Sequence, residues 1–231
     1  KKNPLIDKIL EYNDETKERL QQEKFDILFS FDIDARSTLM ANKVKADKKY
    51  GYYFHEDGKP AIYNKKAEHY LARVFSDYIN KTNRKTYQEM MFDIAELEYK
   101  KQSCNIYNID ENYADNFLKE NNLTKKDKII CINLGSAGRW PSKAWNQDNI
   151  IGLVKKLKSK NFKILLRGGE NESELISYLK NKLKNINVIV NDPLPKEVSQ
   201  PVQMMTLINL CELIITGDTL GLHIAAALNK K

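Results

Sequence analysis

The sequence has 231 residues, 42% of them hydrophobic, enough to bury one large core or two smaller ones. Its apolar runs, such as 224–228 and 213–215, fall far short of the ~20 residues of a membrane-spanning helix, and Cys104, Cys131 and Cys211 keep no disulfide or zinc spacing, which fits a reducing cytoplasm. The net charge of +7 is mainly dispersed lysine, not an arginine-rich, aromatic-interleaved stripe, which argues against nucleic acid; it suits phosphorylated substrates or the anionic inner surface of a membrane, and equally a solvated surface.

In chain order, residues 25–33 alternate like a strand, 36–44 carry a helical pattern, and 50–54 read as another short strand. Two stretches, 67–79 and 87–97, have apolar residues at mixed three and four spacing, as helices packed on a sheet do. The polar segment 108–127 is the expected boundary region, with the break near 125. Strand and helix then alternate strictly: a strand at 128–134, a helix marked by Ile150, Leu153, Val154 and Leu157, and a strand at 162–166. A helix follows through Leu175, Ile176, Leu179 and Leu183, then a strand at 186–190. Beyond a loop holding Pro193, Pro195 and Pro201 come a helix near 202–210, a strand at 212–216 and a helix at 219–228. This is the pattern of a doubly wound α/β fold with a parallel sheet. Both ends read as cut, since Lys1 opens the chain without a methionine or leader pattern and the last helix is not followed by the strand such a fold adds next.

Ligands of parallel α/β sheets collect at the carboxyl ends of strands, where helix N-termini offer free amides and a positive dipole end to phosphates. Three junctions have the right residues. The first, 134–145, is a small-residue loop in which Gly135 and Gly138 allow close backbone approach and Arg139 and Lys143 could neutralise a diphosphate; its spacing is not that of a Walker loop. The second, 167–172, is Arg-Gly-Gly-Glu-Asn-Glu, where the glycines equally make a turn and Glu170 or Glu172 equally complements a helix dipole. The third, 216–223, runs a strand into a helix through Asp218 and Thr219, either of which could simply cap it, with His223 one turn on.

Taken together and in order, these three junctions resemble glycosyltransferase family 9, the bacterial heptosyltransferases. A Gly/Ser/Thr-rich loop before a Lys-x-Trp-Pro element is matched by Ser136 and by Lys143-Ala144-Trp145, a Gly-Gly-x-x-Glu element by Gly168 to Glu172, and an Asp-Ser/Thr-Gly-x-x-His signature by Asp218, Thr219 and His223 before Ile224-Ala225-Ala226-Ala227-Leu228. Asn146 stands where the family often has proline, and Leu220 with Gly221 inverts the usual Gly-x order. The N-terminal half is similar more weakly, through 25–32 and 36–52.

The resemblance implies an α/β, GT-B-like fold of two Rossmann-type domains with parallel sheets, both truncated. Residues 1–125 would be a partial acceptor-side domain, and 126–231 a nucleotide-sugar-binding domain lacking its last strand. It gives Lys143 and the Ser136 loop to the diphosphate, where the charge of Arg139 could join them, Glu172 to the nucleoside ribose or base, Asp218 to sugar hydroxyls, the amides of Thr219, Leu220 and Gly221 to phosphate, and His223 to lining or bracing the site. The family's proposed catalytic aspartate would lie before Lys1. The implied activity is inverting transfer of a heptose or similar sugar from a nucleoside diphosphate, ADP favoured, to a lipopolysaccharide-type glycan acceptor, in the cytoplasm or peripherally on the inner face of the cytoplasmic membrane. No metal or other cofactor is expected, because the nucleotide-binding half has no Asp-x-Asp element; Asp32-Ile33-Asp34 has the spacing but sits in the other half. An enzyme using another nucleotide sugar, or a degenerate binding module, stay open.

Overall fold

The computed structural model describes residues 3–101, 104–106, 108–135, 145–190 and 198–231. The chain divides into two compact units, Asp7–Gln102, and Ser103–Lys231 together with Lys1–Ile6. The division lies some way before the break expected near 125. The reason is a helix in the polar segment, α6 (Glu111–Glu120, using chain-order labels), whose Tyr113, Ala114, Phe117 and Leu118 are buried in the core of the second unit.

The first unit opens with α1 (Asp14–Gln22), followed by β1 (Lys24–Ser30), α2 (Ala35–Lys43) and β2 (Lys45–Phe54). β1 and β2 pair in parallel, with Phe29 opposite Tyr50 and Ser30 opposite Gly51, and α2 makes the crossover. β3 (Pro60–Ile62) then pairs antiparallel with β2, so this sheet is mixed and not wholly parallel as expected. The connection from Phe54 to Pro60 is a tight turn closed by His55 N–H to Lys59 O, 2.8 Å, far too short for a parallel crossover. Instead of one helix over 67–79 there are two, α3 (Glu68–Phe75) and α4 (Asp77–Thr82). Ser76 breaks them by taking an extended backbone, and its hydroxyl accepts the Ile79 amide to cap the second. α5 (Tyr87–Ile94) completes a core in which Tyr52, Ala67 and Ile94 are fully buried, the Tyr52 hydroxyl donating to Ala67 O at 3.1 Å.

The second unit keeps the expected alternation: β4 (Ile129–Asn133), α7 (Gln147–Lys158), β5 (Lys163–Arg167), a 3-10 turn at Glu170–Glu172, α8 (Ser173–Lys182), β6 (Val188–Val190), α9 (Gln200–Leu210), β7 (Leu213–Thr216) and α10 (Leu220–Ala227). All four strands are parallel, in the order β6-β5-β4-β7. Alternate side chains of β4 and β5 feed two cores. Ile130, Ile132, Ile164 and Leu166 pack with Ile150, Val154, Leu179 and Leu183 of the α7–α8 side. Ile129, Cys131 and Leu165 pack with Met204, Leu207, Ile224 and the buried face of α6 on the other. A strand covered on both faces has no polar side to present, which is why β4 is buried at all five positions. Among the described residues no helix is long and apolar enough to cross a membrane.

Candidate functional site

The strand order reverses between β4 and β7: β5 and β6 build outward on one side of β4, and β7 on the other. Loops leaving β4 and β7 therefore diverge and open a crevice at the carboxyl edge of the sheet. A cleft of about 460 Å³ lies there, lined by the ends of β4 and β5, the 3-10 turn, the loop after β7, and residues from α9 and the start of α10.

Glu172, Asp218, Thr219, Leu220 and Gly221, all singled out from the sequence, line this one cleft together. Ser136, Arg139 and Lys143 lie outside the described residues. His223 is exposed and is not among the described residues lining the cleft.

The Glu172 carboxylate is folded back to accept the Gly169 amide at 2.8 Å, while the Glu172 amide donates to Gly169 O at 3.1 Å. A β-carbon at Gly135 would stand 3.3 Å from Glu172 Oε2, and one at Gly169 equally close. The acid is thus held between the end of the first junction and the start of the second.

At the third junction Thr219 caps α10, its hydroxyl accepting the Gly221 amide at 3.3 Å. That amide, one of those expected to meet phosphate, already has a partner within the helix cap. Gly221 is fixed for another reason: a β-carbon there would come 2.9 Å from Asn133 Nδ2 and 3.1 Å from Met204 Cε.

Sequence reasoning missed Asn133, Arg167, Gln200 and Met204 as lining residues. For the first two a signal existed, since each is a polar residue ending an apolar strand, Ile-Ile-Cys-Ile-Asn and Lys-Ile-Leu-Leu-Arg. Asn133 organises the cleft floor: its Nδ2 donates to Thr216 Oγ1 (3.0 Å) and Thr219 Oγ1 (3.2 Å), and its Oδ1 accepts from Arg167 Nη1 (3.2 Å). Burial pushes the Arg167 guanidinium below its usual range, against the pull of nearby acidic groups that include Glu172. Gln200 and Met204 come from α9 and had no local signal.

Among the described residues no cluster of three or more His, Cys, Asp or Glu could hold a metal ion. In the first unit, Asp34 caps α2 by accepting the Arg36 and Ser37 amides, and Asp32 Oδ1 accepts the Asp34 amide, so the Asp-x-Asp spacing there has a helix-capping role.

The sequence pattern of glycosyltransferase family 9 (heptosyltransferase) matches residues 15–231. Among solved structures, 94% of the chain superimposes on a family 9 glycosyl transferase from Veillonella parvula DSM 2008 (18% identity, TM-score 0.67), covering 58% of that chain. The same share superimposes on the E. coli ADP-heptose lps heptosyltransferase II (20%, TM-score 0.60) and on the E. coli heptosyltransferase WaaC with ADP (17%, TM-score 0.55), covering 64% of each. The chain thus spans less than two thirds of the length of these structures. No curated protein sequence matches it. At such identities the structures speak for the fold, and the pattern match over most of the sequence speaks for descent: the chain belongs to glycosyltransferase family 9, the heptosyltransferase family.

Proposed function

We propose that the cleft binds the nucleotide of a nucleoside-diphosphate sugar and that the protein transfers the sugar, a heptose or similar, with inversion to a lipopolysaccharide-type glycan acceptor. ADP is the favoured nucleotide. The observation that carries the reading is the convergence of Glu172, Asp218, Thr219 and the start of α10 on one cleft at the strand-order reversal of a parallel sheet, where such sheets take nucleotides. The solved structure of WaaC with ADP, which shares this fold, supports the choice of nucleotide.

In this reading Glu172 accepts from ribose or base, Asp218 from sugar hydroxyls, and the α10 N-terminus with Lys143 and Arg139 stabilises the diphosphate as it departs. Displacement at the anomeric carbon is direct, and these cations and amides take the electrostatic role a divalent ion would otherwise fill. The setting is the cytoplasm, with peripheral contact to the inner membrane face where a lipid-linked acceptor is presented.

The test is thermal unfolding with ADP, UDP, GDP, CMP and ADP-heptose, with Lys143→Ala as control. Ligand at ~100 times its Kd adds about 2.7 kcal/mol. Selective stabilisation by ADP and ADP-heptose, lost in the variant, is the expected result. Stabilisation by another nucleotide alone replaces the donor, and none by any of them overturns the reading.

A further inference from the structure

Arg167 is the single cation among the described residues lining the cleft, and those residues engage its guanidinium only in part. A guanidinium carries five N–H donors. Among the described residues this one makes one hydrogen bond, the 3.2 Å contact to the neutral Asn133 amide oxygen, and its Nε is buried without a partner. No described carboxylate forms an ion pair with it. Glu172 acts on it only through space, since that carboxylate is turned to the Gly169 amide.

Anchoring Asn133 does not need this chemistry. A neutral donor would hold an amide oxygen equally well, without the cost of desolvating a full charge. What a guanidinium adds is a planar fork for anionic oxygens. Its position is suited to that use. Arg167 ends β5 beside Asn133 at the end of β4, and through Asn133 it is tied to Thr219, the cap of α10, so a fixed cation and the positive end of a helix border the same cleft.

Building on the nucleotide reading above, we propose that Arg167 is a donor-binding residue that takes phosphoryl oxygens of the nucleoside diphosphate with the N–H donors that no described residue engages.

The experiment titrates ADP and, by competition, adenosine into the full chain as wild type, Arg167→Gln and Arg167→Lys. Gln keeps a donor for Asn133 and Lys keeps the charge without the fork. The expected result is a loss of about tenfold or more in ADP affinity for Arg167→Gln, adenosine affinity unchanged, and partial recovery of ADP affinity in Arg167→Lys. Equal losses for ADP and adenosine would make Arg167 a structural bolt and overturn the proposal, as would undiminished ADP binding. If Arg167→Gln does not fold, Arg167→Lys carries the same comparison: weaker ADP with unchanged adenosine supports the proposal, and parallel or absent losses overturn it. A wild type that binds neither ligand sinks the ADP reading itself, and the proposal with it.

Discussion

Asn133 Nδ2 donates to Thr219 Oγ1 across 3.2 Å, joining the end of β4 to the residue that caps α10. The same amide group reaches Thr216 at the end of β7 and Arg167 at the end of β5, so one side chain, only 7% exposed, links three strand ends. Asn133→Ala removes all three bonds and leaves the Arg167 guanidinium with none of its described partners. The expected cost is roughly 1–3 kcal/mol in urea unfolding; the α10 cap keeps the Thr216 hydroxyl but loses Asn133, so under the proposed function nucleotide binding weakens as well. A variant as stable as wild type would show that the network adds nothing to the fold.

Gly221 sets local propensity against packing. Alanine in a helix is normally better than glycine by up to ~1 kcal/mol. Here the added carbon meets Met204 Cε, the free end of a flexible side chain, but also Asn133 Nδ2 at 2.9 Å, which the Thr216 and Thr219 hydroxyls hold in place. Packing wins: Gly221→Ala is expected to lose roughly 1–3 kcal/mol and, under the proposed function, to weaken ADP binding. A rise in melting temperature would mean that Asn133 gives way freely.

How far the sequence reaches depends on whether its signals are local. The alternation from β4 to α10 was legible because both faces of a parallel sheet demand apolar runs, and the three junctions were legible because glycine and acidic residues punctuate them. α1 was missed because none of its residues is buried and so it has no apolar period to read. β2 was foreseen only over 50–54, since Lys45, Lys48 and Lys49 mask its first half. α6 reads as a boundary although Tyr113, Phe117 and Leu118 fall at helical spacing, because the polar residues between them outweigh the stripe. Within the cleft, Gln200 and Met204 approach the ends of β4 and β5 only because the strand order reverses, a tertiary fact that no window of residues contains.

Gly51 is required by both conformation and space. Its φ is +96°, and a β-carbon would lie 1.9 Å from Ser30 O, the backbone of its register partner across the β1–β2 pair. A backbone carbonyl in a strand cannot swing aside as a side-chain end can. Gly51→Ala is therefore expected to destabilise the first unit by about 3 kcal/mol or more. Gly58, in the turn before β3, supplies the control: its φ is +82°, but nothing lies within 4 Å of an added carbon. Gly58→Ala should carry only the conformational penalty, roughly 1–2 kcal/mol. Equal losses in urea unfolding would remove the steric part of the argument.

Alkaline pH should loosen the first unit through its buried phenols. Burial, reinforced by the neighbouring Tyr53, pushes the Tyr63 phenol up to about 12, and burial raises Tyr52 further still. A phenol whose folded pKa is raised binds its proton more tightly folded than unfolded. The stability it contributes is complete below the ordinary value near 10 and is lost as pH rises from there through about 12. The urea midpoint of the wild type should fall steadily over that window. Tyr63→Phe keeps the ring that lies tilted 4.8 Å from that of Tyr53 but removes the titrating group, so its midpoint should fall less steeply over the same range. A parallel decline in the two proteins would mean that Tyr63 ionises without opposing the fold and that the alkaline loss belongs to Tyr52 or to other groups.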